Sequence, residues 1–209
     1  MRNRNWAVGV TAGALGLAGV LLGCGSSDSE SKTEPPKTLG APCVSGSEDD
    51  ASYSGHSLDE VEIGVSARDC GGGGAVCLVN HFQGRVSCPY GQGIDGKSAP
   101  TDECYLPRSE EKVTAPVKPQ LIHRRPDKAV YCSCRCAGND TEAQYCECSA
   151  GFECLELVPD LGLGASHSGS YCVKKGSEVD DVATVPSDSC TRDSEQAKTF
   201  CGEARPLPP

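Results

Sequence analysis

The sequence predicts a mainly β fold: a small, disulfide-rich, irregular β-hairpin unit with a short C-terminal helix. Three observations lead to this prediction. The chain has 15 cysteines among its 209 residues. Its apolar runs are short and are separated by turn-forming glycine and proline. It has only three Phe, six Tyr and one Trp, so the hydrophobic core is thin and needs covalent cross-links.

The first apolar run, from Trp6 to Leu22, is predicted to be a secretory signal rather than part of the fold. Arg2 and Arg4 give it a basic start, and it is shorter than the roughly 20 predominantly apolar residues that a membrane-spanning helix needs. The run ends in Leu21-Leu22-Gly23-Cys24, which resembles the lipobox of bacterial lipoproteins. The resemblance implies cleavage after residue 23 and acylation of Cys24, for example with palmitate. Two or more acyl chains anchor a protein stably.

Residues 24–40 are expected to be the lipidated cysteine and a disordered tether, because they contain almost no apolar side chains. In enteric bacteria, an Asp directly after the lipidated cysteine retains a lipoprotein at the inner membrane. By the same resemblance, Gly25 favours the outer membrane. The predicted location is therefore the bacterial cell envelope, lipid-anchored, with the outer membrane favoured over the inner membrane.

Assigning Cys24 to lipid leaves 14 cysteines, an even number that can pair completely. Export supplies the oxidising compartment in which disulfides persist. The sequence does not determine which cysteine pairs with which. The disulfide candidates are Cys43, Cys70, Cys77, Cys88, Cys104, Cys132, Cys134, Cys136, Cys146, Cys148, Cys154, Cys172, Cys190 and Cys201.

The rest of the chain divides by composition. A first cysteine-rich lobe at 41–104 holds five of these cysteines, and a second at 129–202 holds nine. The stretch 105–128 between them has four prolines and is predicted to be an extended connector, while 203–209 is a tail. Because five and nine are both odd, complete pairing requires at least one disulfide between the lobes.

In the first lobe, we expect strands at 75–82 and 85–88 around a turn at Gln83-Gly84. The acidic runs 48–50 and 59–62 lack the regular spacing of a calcium loop. We therefore interpret them as solvated loops.

In the second lobe, Ala-x-Tyr-Cys-x-Cys occurs twice, which predicts an antiparallel hairpin of 129–136 with 143–148. Its register would place Cys132 opposite Cys148, and Cys134 opposite Cys146. Alternation predicts further strands at 152–158 and 170–173. A capping box that starts at Asp193 predicts a short helix at 194–201.

Five sulfurs on one face of this hairpin could also form a thiolate metal site. However, the chain has no Cys-x-x-Cys pair of the kind that structural zinc sites use. The sequence therefore favours disulfides, with no metal site and no cofactor other than the covalent lipid.

The remaining patterns limit the function. A net charge of −10 without a dense basic patch argues against a nucleic-acid partner. The serine–histidine cluster at 166–168 does not match Gly-x-Ser-x-Gly, so no catalytic residues are predicted. The sequence favours a non-enzymatic envelope binding or structural module, held at the membrane by its lipid, with a protein or glycan ligand. The alternatives are an envelope hydrolase without a recognisable motif and a thiolate metal-binding protein.

Overall fold

The structure is a computed structural model that describes residues 32–36, 38–64, 68–93, 104–160, 168–191 and 201. All of them lie in the second of two units, which divide after Ser31. The described strands form one five-stranded antiparallel sheet in the order β1-β2-β3-β5-β4. The prediction of a mainly β fold is therefore confirmed. The strands are β1 (Val61–Gly64), β2 (Ala75–Asn80), β3 (Val130–Ala137), β4 (Phe152–Val158) and β5 (Gly169–Lys174).

Helical structure is minor among the described residues. The α-helix α1 (Pro126–Ala129) is a single turn that leads directly into β3. Three short 3-10 helices cover Gly46–Asp49, Arg68–Cys70 and Val182–Thr184. No helix in the described ranges has both the length and the apolar character needed to cross a membrane.

The centre of the sheet is the pair β2 and β3, in which Cys77 lies opposite Cys132 and Leu78 opposite Tyr131. Because side chains alternate between the two faces of a strand, Cys77 and Cys132 belong to one core cluster and Leu78 and Tyr131 to another. Both faces are covered, so every residue of β2 is buried. This explains why β2 is apolar from Ala75 to Val79.

Several predicted strands agree with the structure. The strand predicted at 152–158 is β4, and the strand predicted at 170–173 lies within β5. Cys132, Cys134 and Cys136 are all in β3 and all buried. β4 and β5 pair along almost their whole length.

The predicted hairpin of 129–136 with 143–148 is wrong, because β3 pairs with β2 and β5 and 143–148 is not a strand. The backbone of this segment bonds at separate points, with Cys146 N–H donating to the Arg135 carbonyl at 2.8 Å. The spacing of the cysteines, one at every second residue, showed that they share one face of β3. It did not indicate which strand pairs with β3.

The strand predicted at 85–88 is also wrong, since Arg85 and Cys88 close a tight turn on each other with a hydrogen bond of 3.2 Å. Gly84 precedes this turn with φ +88°. Its α-carbon faces the Lys118 carbonyl so closely that a Cβ would overlap that oxygen. This close approach, together with an antiparallel bridge in which Gly84 and His56 exchange two backbone hydrogen bonds, determines the local backbone.

Residues 105–128 do not form a free extended connector. Leu106, Val113 and Val117 from this stretch pack with Cys88 and Cys104 into a small core of their own. Val117 also exchanges two backbone hydrogen bonds of 2.9 Å with Gln92. The only regular helix or strand that the stretch contains is the start of α1 at Pro126, but the apolar residues between its prolines pack it against the first lobe.

The structure also differs from the predicted tether at its C-terminal end. Thr33 N–H donates to the Tyr145 carbonyl at 2.8 Å, and Thr38 Oγ1 donates to the Cys70 carbonyl at 2.7 Å. Backbone and hydroxyl groups can therefore fix a segment that has few apolar side chains. The predicted signal peptide, Cys24, the start of the tether, the C-terminal helix before Cys201 and the tail lie outside the described residues.

Candidate functional site

The described cysteines form seven disulfides, which confirms the predicted disulfide bonding. Cys70–Cys132 joins the two lobes, as the odd counts required. Cys134 and Cys146, predicted to face each other, are bonded. The predicted opposition of Cys132 and Cys148 is wrong, since the hairpin that would create it does not form. The other five disulfides are Cys43–Cys77, Cys88–Cys104, Cys136–Cys154, Cys148–Cys172 and Cys190–Cys201.

Three of these disulfides, which we call the sulfur cluster, lie in contact where β3, β4 and β5 meet the 146–148 segment. The Cys172 Sγ lies 3.9 Å from the Cys134 Sγ and 3.7 Å from the Cys146 Sγ. The Sγ atoms of Cys136, Cys148 and Cys154 form a second group whose members are all within 4.8 Å of one another. The members of the sulfur cluster are Cys134–Cys146, Cys148–Cys172 and Cys136–Cys154.

A second site, the charged cluster, consists of Glu48, His56, Glu62 and Arg85. Glu48 lies on the 3-10 helix Gly46–Asp49, which Ser45 caps, and its side chain is fully buried. Its carboxylate accepts hydrogen bonds from the backbone of Val86 at 2.6 Å and of Ser87 at 3.1 Å. It also accepts one from the Ser87 hydroxyl at 2.8 Å. These bonds replace the water that a buried carboxylate loses.

His56 lies between the two carboxylates of the charged cluster. Its Nδ1 is 2.8 Å from the Tyr53 hydroxyl and 3.0 Å from Glu62 Oε2, and its Nε2 is 3.6 Å from Glu48 Oε1. Burial disfavours the imidazolium, but Glu48 and Glu62 together outweigh it and raise the pKa of His56 to about 9. Burial also opposes ionisation of Glu62, but hydrogen bonds from His56 and Ser45 lower its pKa to about 2. At neutral pH, His56 therefore carries a positive charge.

Arg85 supplies the second positive charge and is fully buried. Its guanidinium donates to the carbonyls of Asp50 at 3.1 Å and of Tyr53 at 2.8 Å, and also to that of Glu48. Its Nε lies 3.8 Å from Glu48 Oε2. Two carboxylates thus face one imidazolium and one guanidinium, so the cluster has no net charge.

The charged cluster fixes the loop that carries Glu48 against the turn at Arg85. His56 is 6 % exposed and Glu48 is fully buried, so neither side chain is open to a large substrate. The expectation that both acidic runs are solvated loops is wrong for Glu48, and Glu62 is part of β1. Sequence reasoning missed the cluster because 37 residues separate Glu48 from Arg85, and no local pattern connects them.

A polar cleft of about 300 Å³ lies beside the ends of β3, β4 and β5. Amide, carboxylate and hydroxyl groups line it, and Asn139 Nδ2 donates to Asp160 Oδ2 at 3.2 Å. Its lining residues are Ala137, Gly138, Asn139, Glu156, Asp160, Ser168, Gly169 and Ser170.

Two of the residue groups singled out in the sequence are not covered by the structure. Cys24, the predicted lipidation site, and the pair Ser166-His167 lie outside the described residues. Comparison with protein-family models, with curated proteins and with solved structures finds no match to this chain.

Proposed function

We propose that this protein is a lipoprotein of the bacterial cell envelope, anchored by acyl chains on Cys24, that acts as a non-enzymatic binding or structural module. The observation that carries the proposal is the cysteine balance. The chain has 15 cysteines, and 14 of them belong to seven disulfides. The remaining one is Cys24, in the lipobox-like sequence. If Cys24 were not acylated, it would be a single unpaired thiol in a chain whose other cysteines all form disulfides.

The disulfides also support an extracytoplasmic location, since such bonds persist in oxidising compartments and are rare in the cytosol. Outer-membrane attachment is favoured by Gly25, through its resemblance to the sorting rule of enteric bacteria. We therefore propose the outer membrane as the site of anchoring.

A binding or structural role is supported by where the ionisable groups lie. His56 lies 3.0 Å from Glu62 and 3.6 Å from Glu48, and because His56 and Glu48 are enclosed, these groups fix loops to one another. The polar cleft instead offers amide and carboxylate groups, such as those of Asn139 and Glu156, that can hydrogen-bond the hydroxyls of a glycan. Glycan or protein in the envelope is therefore the proposed ligand class.

The anchor is tested by expressing the wild type and Cys24→Ser in an enteric host and separating membranes from soluble protein. We expect the wild type in the membrane fraction, with a mass increase from two or three acyl chains, and Cys24→Ser in the soluble fraction. A double variant, Cys190→Ser with Cys201→Ser, is the matched control, because it loses cysteines but should keep the lipid. Membrane association of Cys24→Ser that resists an alkaline carbonate wash, which removes proteins held only by a ligand, would contradict the proposal.

The membrane and the ligand are tested separately. Gly25→Asp should move the protein from the outer to the inner membrane in a density gradient. The soluble Cys24→Ser form should sediment with isolated cell envelopes, and Asn139→Ala should weaken that binding if the cleft is the contact. Treating the envelopes with protease or with a glycan hydrolase then distinguishes a protein ligand from a glycan ligand. Release of soluble glycan by the protein itself would favour the hydrolase alternative.

A further inference from the structure

We propose that the sulfur cluster is a redox-gated site for a thiophilic d¹⁰ cation such as Zn²⁺. In the oxidised protein these sulfurs are cross-links. Once Cys134–Cys146 and Cys148–Cys172 are reduced, their thiolates bind the metal. This proposal goes beyond the envelope function proposed above and does not depend on it.

The spacing of the sulfurs carries the inference. Zinc in a tetrahedral thiolate site has Zn–S distances of about 2.3 Å, which places neighbouring sulfurs about 3.8 Å apart. The Sγ of Cys172 already lies 3.9 Å from that of Cys134 and 3.7 Å from that of Cys146. The third edge of this triangle is the Cys134–Cys146 bond, which reduction opens. β3 positions Cys134, β5 positions Cys172, and the backbone hydrogen bond from Cys146 to Arg135 positions Cys146. These three sulfurs therefore form one face of a tetrahedron.

The fourth ligand is Cys148, which is bonded to Cys172 in the oxidised protein and becomes free in the same reduction. It lies on a loop rather than in a strand, so it can move towards the other three sulfurs more easily than a strand residue. Four thiolates with tetrahedral geometry are the ligand set that Zn²⁺ prefers in structural sites.

Access to a reductant distinguishes this cluster from the other close group of sulfurs in the described residues. The Cys43, Cys70 and Cys132 group is 2 % exposed or less at every member. In the sulfur cluster, Cys148 is partly exposed and Cys154 is exposed. A reductant therefore reaches Cys148–Cys172 before it reaches the group of Cys43, Cys70 and Cys132, because thiol–disulfide exchange requires access to a sulfur.

The chemistry needs a two-electron reductant, a dithiol or a phosphine. For a dithiol, one thiolate attacks Cys148 Sγ, and Cys172 leaves as a thiolate. The second thiol of the reductant then attacks the mixed disulfide and releases Cys148, so the reductant ends as a disulfide and the protein gains two electrons and two protons. The freed Cys172 thiolate, 3.7 Å from Cys146 Sγ, then attacks that atom and releases Cys134, and a second equivalent of the dithiol reduces the Cys146–Cys172 bond that forms. Binding of Zn²⁺ then displaces the thiol protons to water.

The test uses the full chain with Cys24→Ser, so that only the 14 disulfide cysteines remain. The protein is reduced with a phosphine, the phosphine is removed without oxygen, and Co²⁺ is added as an optical probe before Zn²⁺ competition. We expect thiolate-to-cobalt charge-transfer bands with tetrahedral d–d bands in the reduced protein, and none in the oxidised protein. Alkylation with mass mapping should show that Cys148 and Cys172 react before Cys43 and Cys77.

Two double variants assign the site. Cys134→Ser with Cys172→Ser removes two proposed ligands and should weaken Zn²⁺ binding by at least about tenfold. Cys88→Ser with Cys104→Ser removes the same number of cysteines away from the cluster and should leave the affinity within about twofold. Equal losses in both variants, as metal binding by an unfolded, reduced chain would give, overturn the proposal. Absence of tetrahedral cobalt bands in the reduced protein overturns it as well.

Discussion

Protonation of His56 should make the stability of this protein fall as the pH rises from about 6.5 to 9. The unfolded chain has an imidazole with a pKa near 6.5, whereas Glu48 and Glu62 raise the pKa of His56 in the folded protein to about 9, against the opposing effect of burial. A pKa raised by folding contributes stability that is fully present below the unfolded value and is lost as the pH rises through the folded value. At about 1.4 kcal/mol for each pKa unit, the total loss is about 3 kcal/mol.

The free energy of unfolding is measured at pH 6 and at pH 9 by urea denaturation, with circular dichroism as the signal. His56→Gln should abolish most of the difference between the two free energies of unfolding. His123→Gln should not, since the His123 side chain is 54 % exposed. If His56→Gln folds too weakly to measure, the imidazole titration of the wild type by NMR supplies the same test. An unchanged pH dependence in His56→Gln, or a His56 pKa at or below 6.5, would refute the reasoning.

Two further predictions concern the backbone and the cross-links. Gly84→Ala should destabilise the protein by more than the roughly 1–2 kcal/mol that a left-handed conformation costs a residue with a Cβ, because the new carbon also overlaps a carbonyl oxygen. Replacing Cys70 and Cys132 together by Ser opens a cross-link with a sequence separation of 62 and should lower the free energy of unfolding by about 4 kcal/mol. The two losses in free energy of unfolding are to be measured by urea denaturation at pH 6.

Each of these predictions has a control in the same chain. Gly74→Ala tests conformation alone, because Gly74 also has a positive φ but its new Cβ would meet nothing within 4 Å. A smaller loss in Gly84→Ala than in Gly74→Ala would contradict the argument from close approach. Loss of Cys190–Cys201, with a separation of only 11, should cost about 3 kcal/mol by the same relation. Equal losses for the two disulfides would argue against a loop-entropy origin.

The sequence predicted the features of the fold that depend on local alternation. β4, an apolar run interrupted by Glu153 and Glu156, was located correctly, and the cysteines of β3 were placed on one face. Which strands pair is decided by long-range burial. β3 lies between β2 and β5. The end of β2 and the start of β3 are separated by 49 residues, and nothing in the β3 sequence identifies either neighbour.

The charged cluster was not predictable for a related reason. Glu48 and Asp49 are adjacent acidic residues in a polar stretch, yet Glu48 is fully buried while the Asp49 side chain is 46 % exposed. The difference arises from Arg85 and the backbone N–H groups of Val86 and Ser87, which reach Glu48 only after the chain has folded. Composition shows that a segment is polar, but the partners that allow one of its carboxylates to be buried come from elsewhere in the chain.

The connectivity of the disulfides has a consequence for how the chain acquires its native state. Cys88–Cys104 and Cys190–Cys201 are the two bonds that join cysteines next to each other in order along the chain. The other five interleave or enclose one another, as when Cys70 lies between Cys43 and its partner Cys77. An oxidase that joins thiols in the order of their synthesis would therefore produce mostly non-native bonds. Efficient maturation of this chain depends on an isomerase that reshuffles early pairs, and the yield of correctly folded protein should fall sharply in a host that lacks one.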